Sequence, residues 1–224
     1  MAIATWQDLC IDALDAERLG RFWAEAIGLT YVPHDDGDAQ LDGPTPEHRI
    51  WVNTVPEPVT VKQRVHLDVH AGSVDDVLAL GATPDDLDSF GWKVLRDPEG
   101  GELCVFEREE VPAYRLYEIA VDAVDPRAIA RWWADVLGAT YGENEEEGWT
   151  WVEQIPGAPF DCLTFAAVPE PKTVKNRIHW DVQTEDLALL TDAGATVVGT
   201  QPRWTVMADP EGNEFCAFLP SQDD

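Results

Sequence analysis

Two short strings in this chain alternate an arginine, a histidine and an aspartate: Arg64, His66 and Asp68, then Arg177, His179 and Asp181. In an extended chain alternate side chains share a face. Each string therefore presents its polar groups together and turns Val65, Leu67 and Val69, or Ile178, Trp180 and Val182, the other way. Asp8, Cys10 and Asp12 oppose Leu9, Ile11 and Ala13 in the same manner, and Glu102, Cys104 and Phe106 oppose Leu103 and Val105. Carboxylate, imidazole and thiol are donors that zinc and similar borderline metals accept, so Asp8, His66 and Cys104, with Cys10 beside them, form a candidate set. A second reading needs no ion. Arg64 pairs with Asp68 or Asp12, the histidine hydrogen-bonds within that network, and the cysteine packs as a small apolar group. Either way the polar face must line something wet or satisfy itself, because unpaired buried charge is expensive.

Aromatic residues are the other chemical signal, with ten tryptophans. Trp149 and Trp151 share a strand face, which suits stacking on a flat or cationic molecule. Trp23, Trp132 and Trp133 fall on helical apolar stripes and read as core. Trp92 and Trp204 occupy equivalent strand positions and also read as core rather than pocket. Nucleophilic catalysis has no support: the chain carries no GxSxG, no glycine-rich phosphate loop and no HExxH.

The elements that position these residues are written twice. Asp12, Ala13, Asp15, Trp23, Gly28 and Tyr31 recur 110 residues later, and VPEPVTVKQRVHLDV from Val55 recurs as VPEPKTVKNRIHWDV from Val168. Asp97-Pro98-Glu99-Gly100 with Glu102 and Cys104 recurs as Asp209-Pro210-Glu211-Gly212 with Glu214 and Cys216. Three blocks in the same order mark an internal duplication. The copies are expected over 1–109 and 114–224, joined by a short linker around Glu109 to Ala113. Each copy opens with an alternating strand and then a helix. Asp15 caps the first helix and Gly28 stops it; Asp125, Pro126 and Gly138 do so in the second copy. Strands follow at Thr30 to Val32 and Ile50 to Val55, or at Trp149 to Gln154 and Leu163 to Val168. A second strand (Arg64 to Val69), a helix (Ser73 to Leu80) and a hairpin across Asp97–Gly100 complete the copy, giving βαβββ twice.

Composition narrows the function. The 224 residues are 45% hydrophobic and 26% charged, an ordinary globular balance. The net charge of −28 repels phosphate backbones and anionic lipids, so neither nucleic acid nor membrane is expected as partner, and it attracts cations. No apolar run approaches the ~20 residues of a membrane helix, and the start MAIATWQDL is no secretory signal. A cytoplasmic protein is the expectation, with Cys10, Cys104, Cys162 and Cys216 as free thiols or ligands.

Paired βαβββ halves, the Asp15-to-Gly28 helix with Phe22-Trp23, the VKQRVHLDV block and the DPEG-x-E-x-C ending together resemble the glyoxalase-like domains of the vicinal oxygen chelate superfamily. That superfamily includes glyoxalase I, extradiol dioxygenases and bleomycin-resistance proteins. The resemblance covers both copies and implies an α+β fold of tandem domains, each built of two paired βαβββ modules with curved sheets around a cavity. In metal-using members ligands come from the first, fourth, fifth and eighth strands of a pair. Carried over, the fifth-strand histidine falls on His66 and His179 and the eighth-strand glutamate on Cys104 and Cys216. The first-strand ligand falls on Asp8 and Glu118, while Arg49 to Asn53 and Cys162 to Ala166 offer no match on the fourth strand. Cavity walls in the relatives point to Trp51, Trp149 and Trp151, with Arg64 and Arg177 beside the histidines. No cofactor is specified; a divalent metal is compatible but not favoured.

The leading expectation is thus a small-molecule binding protein of the glyoxalase and bleomycin-resistance type, holding a cationic or aromatic compound. The alternative is a metal-dependent lyase, isomerase or dioxygenase, with Glu118 or Glu214 moving a proton. A third reading makes one copy structural, completing a monomeric pseudo-dimer or serving in a homodimer.

Overall fold

The structure is a computed structural model and describes residues 2–146 and 148–220. Four βαβββ modules follow one another. The first comprises β1 (Thr5–Ala13), α1 (Ala16–Ile27), β2 (Thr30–Pro33), β3 (Ala39–Asp42) and β4 (Ile50–Thr54). The second comprises β5 (Val65–Ala71), α2 (Val74–Leu78), β6 (Thr83–Asp86), β7 (Lys93–Arg96) and β8 (Glu102–Glu107). The third holds β9 (Leu116–Ala123), α3 (Pro126–Leu137), β10 (Thr140–Asn144), β11 (Trp149–Glu153) and β12 (Cys162–Ala167). The fourth holds β13 (Ile178–Gln183), α4 (Leu187–Asp192), β14 (Thr196–Thr200), β15 (Thr205–Ala208) and β16 (Glu214–Phe218).

The α+β tandem architecture is the one the repeat implies. The partner of each module, however, is not its neighbour in sequence. Sheet A runs β14-β15-β16-β13-β1-β4-β3-β2, and sheet B runs β10-β11-β12-β9-β5-β8-β7-β6. Module one therefore pairs with module four through antiparallel β1 and β13, and module two with module three through antiparallel β5 and β9. Each sheet takes half its strands from each copy.

Local chemistry explains the elements. Asp15 accepts a hydrogen bond from the Arg18 amide at 3.0 Å and caps α1; Asp125 does the same for the Ala128 amide at 3.1 Å, with Pro126 opening α3. Leu19, Phe22, Trp23, Ala26 and Ile27 on α1, and Ile129, Trp133, Val136 and Leu137 on α3, are buried against the sheets. Trp133 meets Trp180 edge-on at 4.8 Å, whereas Trp132 is only half-buried and donates its indole N–H to the Ala193 carbonyl. Both helices end at a left-handed glycine, Gly28 (φ 88°) and Gly138 (φ 63°).

Contacts across the copies tie the sheets together. The Arg115 amide donates to the Ile27 carbonyl at the end of α1, and the Ile3 amide donates to the Val136 carbonyl at the end of α3. Within each copy the repeated DPEG turn serves as a brace. Glu99 accepts the amides of Leu14 and Asp15, both at 2.9 Å, and Glu211 accepts those of Val124 and Asp125 at 2.8 and 2.6 Å. The glutamate of the motif thus pins one module's turn to the strand–helix corner of the module before it.

Candidate functional site

The central strands of each sheet carry the histidines, acids and thiols. In sheet B, register aligns Cys162 on β12, Glu118 on β9, Asp68 on β5 and Cys104 on β8 in one row across the sheet. His66 stands one place along the same face, opposite Ala120. In sheet A the row contains Asp8 on β1, Asp181 on β13 and Cys216 on β16, with His179 opposite Cys10. The strand pairing thus corrects the expected sets. Asp8 and Cys10 lie with His179 and Cys216, not with His66 and Cys104, and Glu118 lies with His66 and Cys104. The reason is topological: β1 is hydrogen-bonded to β13, so the first strand of one copy faces the fifth strand of the other.

The sheet A row is buried, and in sheet B Asp68 and Cys104 are buried while Glu118 and Cys162 are half-buried. Burial pushes the Asp68 carboxyl well above the usual carboxylate range, and the Glu118 carboxylate facing it pushes the same way. Burial likewise raises Asp181, with Asp8 beside it, and raises Asp8 in turn. At each sheet centre an aspartate, Asp68 or Asp181, therefore favours keeping its proton. Burial also holds His66 and His179 down at about 4, so both imidazoles are neutral near pH 7. The thiols of Cys104 and Cys216 are pushed up by burial and by the aspartates beside them.

The donor set fits a metal ion. His66 Nε2 is 3.4 Å from Asp68 Oδ1 and 3.6 Å from Cys104 Sγ. In sheet A, His179 Nε2 is 3.7 Å from Asp181 Oδ1 and 3.5 Å from Cys216 Sγ, and Cys10 Sγ is 3.7 Å from Asp181 Oδ2. A tetrahedral ion with bonds of ~2.0–2.1 Å to N or O and ~2.3 Å to S sets its donors about 3.3–3.6 Å apart. Moreover, Asp68 Oδ1, His66 Nδ1, Asp181 Oδ1, His179 Nδ1 and Asp8 Oδ1 are buried without a hydrogen-bond partner.

The fourth strand, which offers no ligand by sequence pattern, separates the two sheets. In sheet A, Trp51 on β4 lies opposite Cys10, and its indole donates to Asp8 Oδ2 at 3.1 Å. In sheet B the equivalent position on β12 is Thr164, opposite Ala120, and its hydroxyl donates to Glu118 Oε2 at 2.9 Å. Where sheet A has an indole and a thiol, sheet B has a threonine and an alanine. A cavity of about 570 Å³ stands over this part of sheet B, with His66, Asp68, Cys104, Glu118, Cys162 and Thr164 in its lining.

Its walls are aromatic. Phe90 stacks on Trp92 at 5.0 Å and Trp92 on Phe106 at 5.6 Å, while Trp149 meets Trp92 edge-on at 6.0 Å. Tyr117, its hydroxyl pushed up to about 12 by burial, meets Phe106 at 5.0 Å. Trp151 completes the wall above Gly142, where a Cβ would come within 2.3 Å of the indole. Trp149 and Trp151 thus line the cavity together, and so does Trp92, which corrects its reading as core. Alternation carried the missed signal: Phe90, Trp92 and Val94 share one parity, as do Cys104 and Phe106. Trp204 stacks on Phe218 at 5.8 Å in sheet A. Arg64 and Arg177 lie elsewhere. Arg64 donates to the carbonyls of Glu170 and Asp122, and Arg177 to that of Glu57, so neither pairs with the aspartate of its own string.

Known proteins match this architecture. The model of the glyoxalase-like domain matches the chain twice, over residues 8–106 and 118–218. The crystal structure of glyoxalase I from Zea mays is similar in fold, with a TM-score of 0.66 at 14% identity over 96% of this chain and 92% of that one. A dioxygenase candidate from Bacillus subtilis is similar as well, with a TM-score of 0.65 at 13% identity over 98% and 86%. No curated protein sequence matches the chain.

Proposed function

The chain belongs to the glyoxalase-like domain family, and from that premise we propose that it is a small-molecule binding protein whose ligand is a flat organic cation held in the sheet B cavity. One observation carries this reading: a cavity of about 570 Å³ that joins the aromatic wall of Phe90, Trp92, Phe106, Trp149 and Trp151 to an acidic floor of Asp68, Glu102 and Glu118. Aromatic faces attract cations, most strongly where water is excluded. The protein's −28 charge concentrates cations around it. Calorimetric titration of N-methylquinolinium against its neutral isostere, 1-methylnaphthalene, tests this. The cation should bind at least about tenfold more tightly, Trp149→Ala should cost about tenfold, and Thr164→Trp should abolish binding by filling the cavity. Equal affinity for cation and isostere, or binding that survives Thr164→Trp in folded protein, refutes the reading.

A second reading rests on the donor geometry. His66, Asp68 and Cys104, with Glu118 adjacent, would hold a divalent metal in sheet B, and Cys10, His179, Asp181 and Cys216 would hold one in sheet A. Such a metal supplies Lewis acidity to paired substrate oxygens. Of the two acids suited to proton transfer, Glu118 lines the cavity, whereas Glu214 is held by Lys172 at 2.7 Å and by the Asn176 amide. Elemental analysis of protein purified without chelator, followed by cobalt loading, decides it. Thiolate-to-cobalt absorption lost when Cys104→Ser is combined with Cys10→Ser and Cys216→Ser supports metal binding; no bound metal and no such band excludes it.

A further inference from the structure

A second cavity, of about 820 Å³, opens where the chain crosses between the sheets, lined by the repeated segments around Glu57–Arg64 and Glu170–Arg177. Its charge is unlike that of the rest of the molecule. Of the 15 lysines and arginines in a chain of net charge −28, five line it: Lys62, Arg64, Lys172, Lys175 and Arg177. The acids facing them are Asp12, Glu57, Asp122 and Glu170. Asp122 is taken by Lys62 at 2.7 Å and Asp12 by Lys175 at 2.5 Å, while Lys172 is paired with Glu214. Glu57 and Glu170 are solvent-exposed residues whose backbone carbonyls, rather than carboxylates, accept from the arginines.

Arg64 is left with neutral partners, whereas Arg177 has one carboxylate, Glu99, within ion-pair distance. Arg64 is only 9% exposed and donates to carbonyls alone, at 2.6 Å to Glu170 and 2.9 Å to Asp122. Its Nε has no hydrogen-bond partner, and among the described residues no carboxylate lies within ion-pair distance of it. Arg177, at the equivalent place in the other copy, donates to the Glu57 carbonyl at 2.5 Å. Its Nε and Nη2 lack hydrogen-bond partners, although Glu99 forms an ion pair with Nη2 at 3.6 Å. A buried guanidinium without a counter-charge is costly, and a cavity against it is where one would enter. Pro58, Val61, Pro171 and Val174 supply apolar wall.

We propose that this seam cavity binds a small organic anion, a carboxylate or phosphate on a short apolar body, with its charged group against Arg64 and Arg177. Guanidinium is suited to either oxyanion through paired N–H donors. The site shares Lys62 and Asp122 with the edge of the aromatic cavity, but Arg64 and Arg177 line only the seam, and the proposal does not rest on the cation reading above.

The test uses the full chain. Hexanoate, hexyl phosphate, inorganic phosphate and hexylammonium are titrated by calorimetry, and backbone amide NMR maps the shifts. At least one of the two hexyl anions should bind, with shifts concentrated in residues 57–64 and 170–177, and binding should weaken several-fold in 0.5 M salt. A preference between hexanoate and hexyl phosphate identifies the oxyanion; inorganic phosphate tests whether the apolar body is needed. Arg64→Lys and Arg177→Lys should each cost about tenfold. Because Arg64 also clamps the two loops, circular dichroism checks that each variant folds, and the wild-type NMR map stands without them. Absence of binding by every anion, shifts elsewhere, or equal binding of hexylammonium at this seam overturns the proposal.

Discussion

Trp51 and Thr164 occupy the same place in the two sheets, each donating to the acid on the first strand of its half, Asp8 or Glu118. That single difference of volume accompanies a roomy aromatic cavity on one sheet and an indole over the other. A residue-scale effect of another kind appears in the braced turn. Asp97 Oδ1 accepts the amides of Glu99 and Gly101, both at 2.8 Å, yet burial outweighs them and pushes its carboxyl up to about 6. A carboxyl raised on folding binds its proton more tightly when folded, so its stabilising contribution is complete below pH ~4 and is lost as pH rises through 6. Asp97→Asn keeps an acceptor and removes the charge. Urea unfolding at pH 4 and pH 7.5 should show the variant gaining on the wild type at the higher pH, by on the order of 2–3 kcal/mol for a shift of this size. Parallel profiles for the two proteins would show that the turn does not titrate this way.

At the scale of elements, the helix ends join the two copies. Gly28 combines a left-handed φ of 88° with a close approach: a Cβ there would meet the Ala113 carbonyl oxygen at 2.1 Å. Gly138 has the same role, but a Cβ there would meet the Ala2 methyl, at 2.8 Å, close to the chain start. A backbone oxygen at 2.1 Å is a closer obstacle than a side-chain methyl at 2.8 Å. Gly28→Ala should therefore lose more than about 1 kcal/mol in chemical denaturation, and more than Gly138→Ala. Equal losses would place the whole cost in φ rather than in the contact. The capping signals at Asp15, Asp125 and Pro126 are legible in sequence because they act over three residues. What each helix end touches is not, because Ala113 and Ala2 are distant in sequence.

At the scale of the molecule, each sheet is half of one copy and half of the other. The expected copies, 1–109 and 114–224, are repeats of sequence, but neither contains a complete eight-stranded sheet. Expressed alone, residues 1–112 should be unfolded or should self-associate to find partners for β1 and β5, and mixing with residues 113–224 should restore the native circular dichroism spectrum. A stable isolated monomer with native-like spectrum would contradict this. Sequence by itself determined the duplication, the α+β modules, the polar strand faces with their histidines, acids and thiols, and the pairing of Trp149 with Trp151, because alternation, caps and turns are local and periodic. Only tertiary structure decided which module faces which, and so which acid stands beside which histidine. The four modules present similar strands, so pairing within a copy and pairing across copies satisfy the same local pattern; the choice depends on long-range register. The aromatic wall and the arginine-lined seam follow from that choice, since each is assembled from both copies.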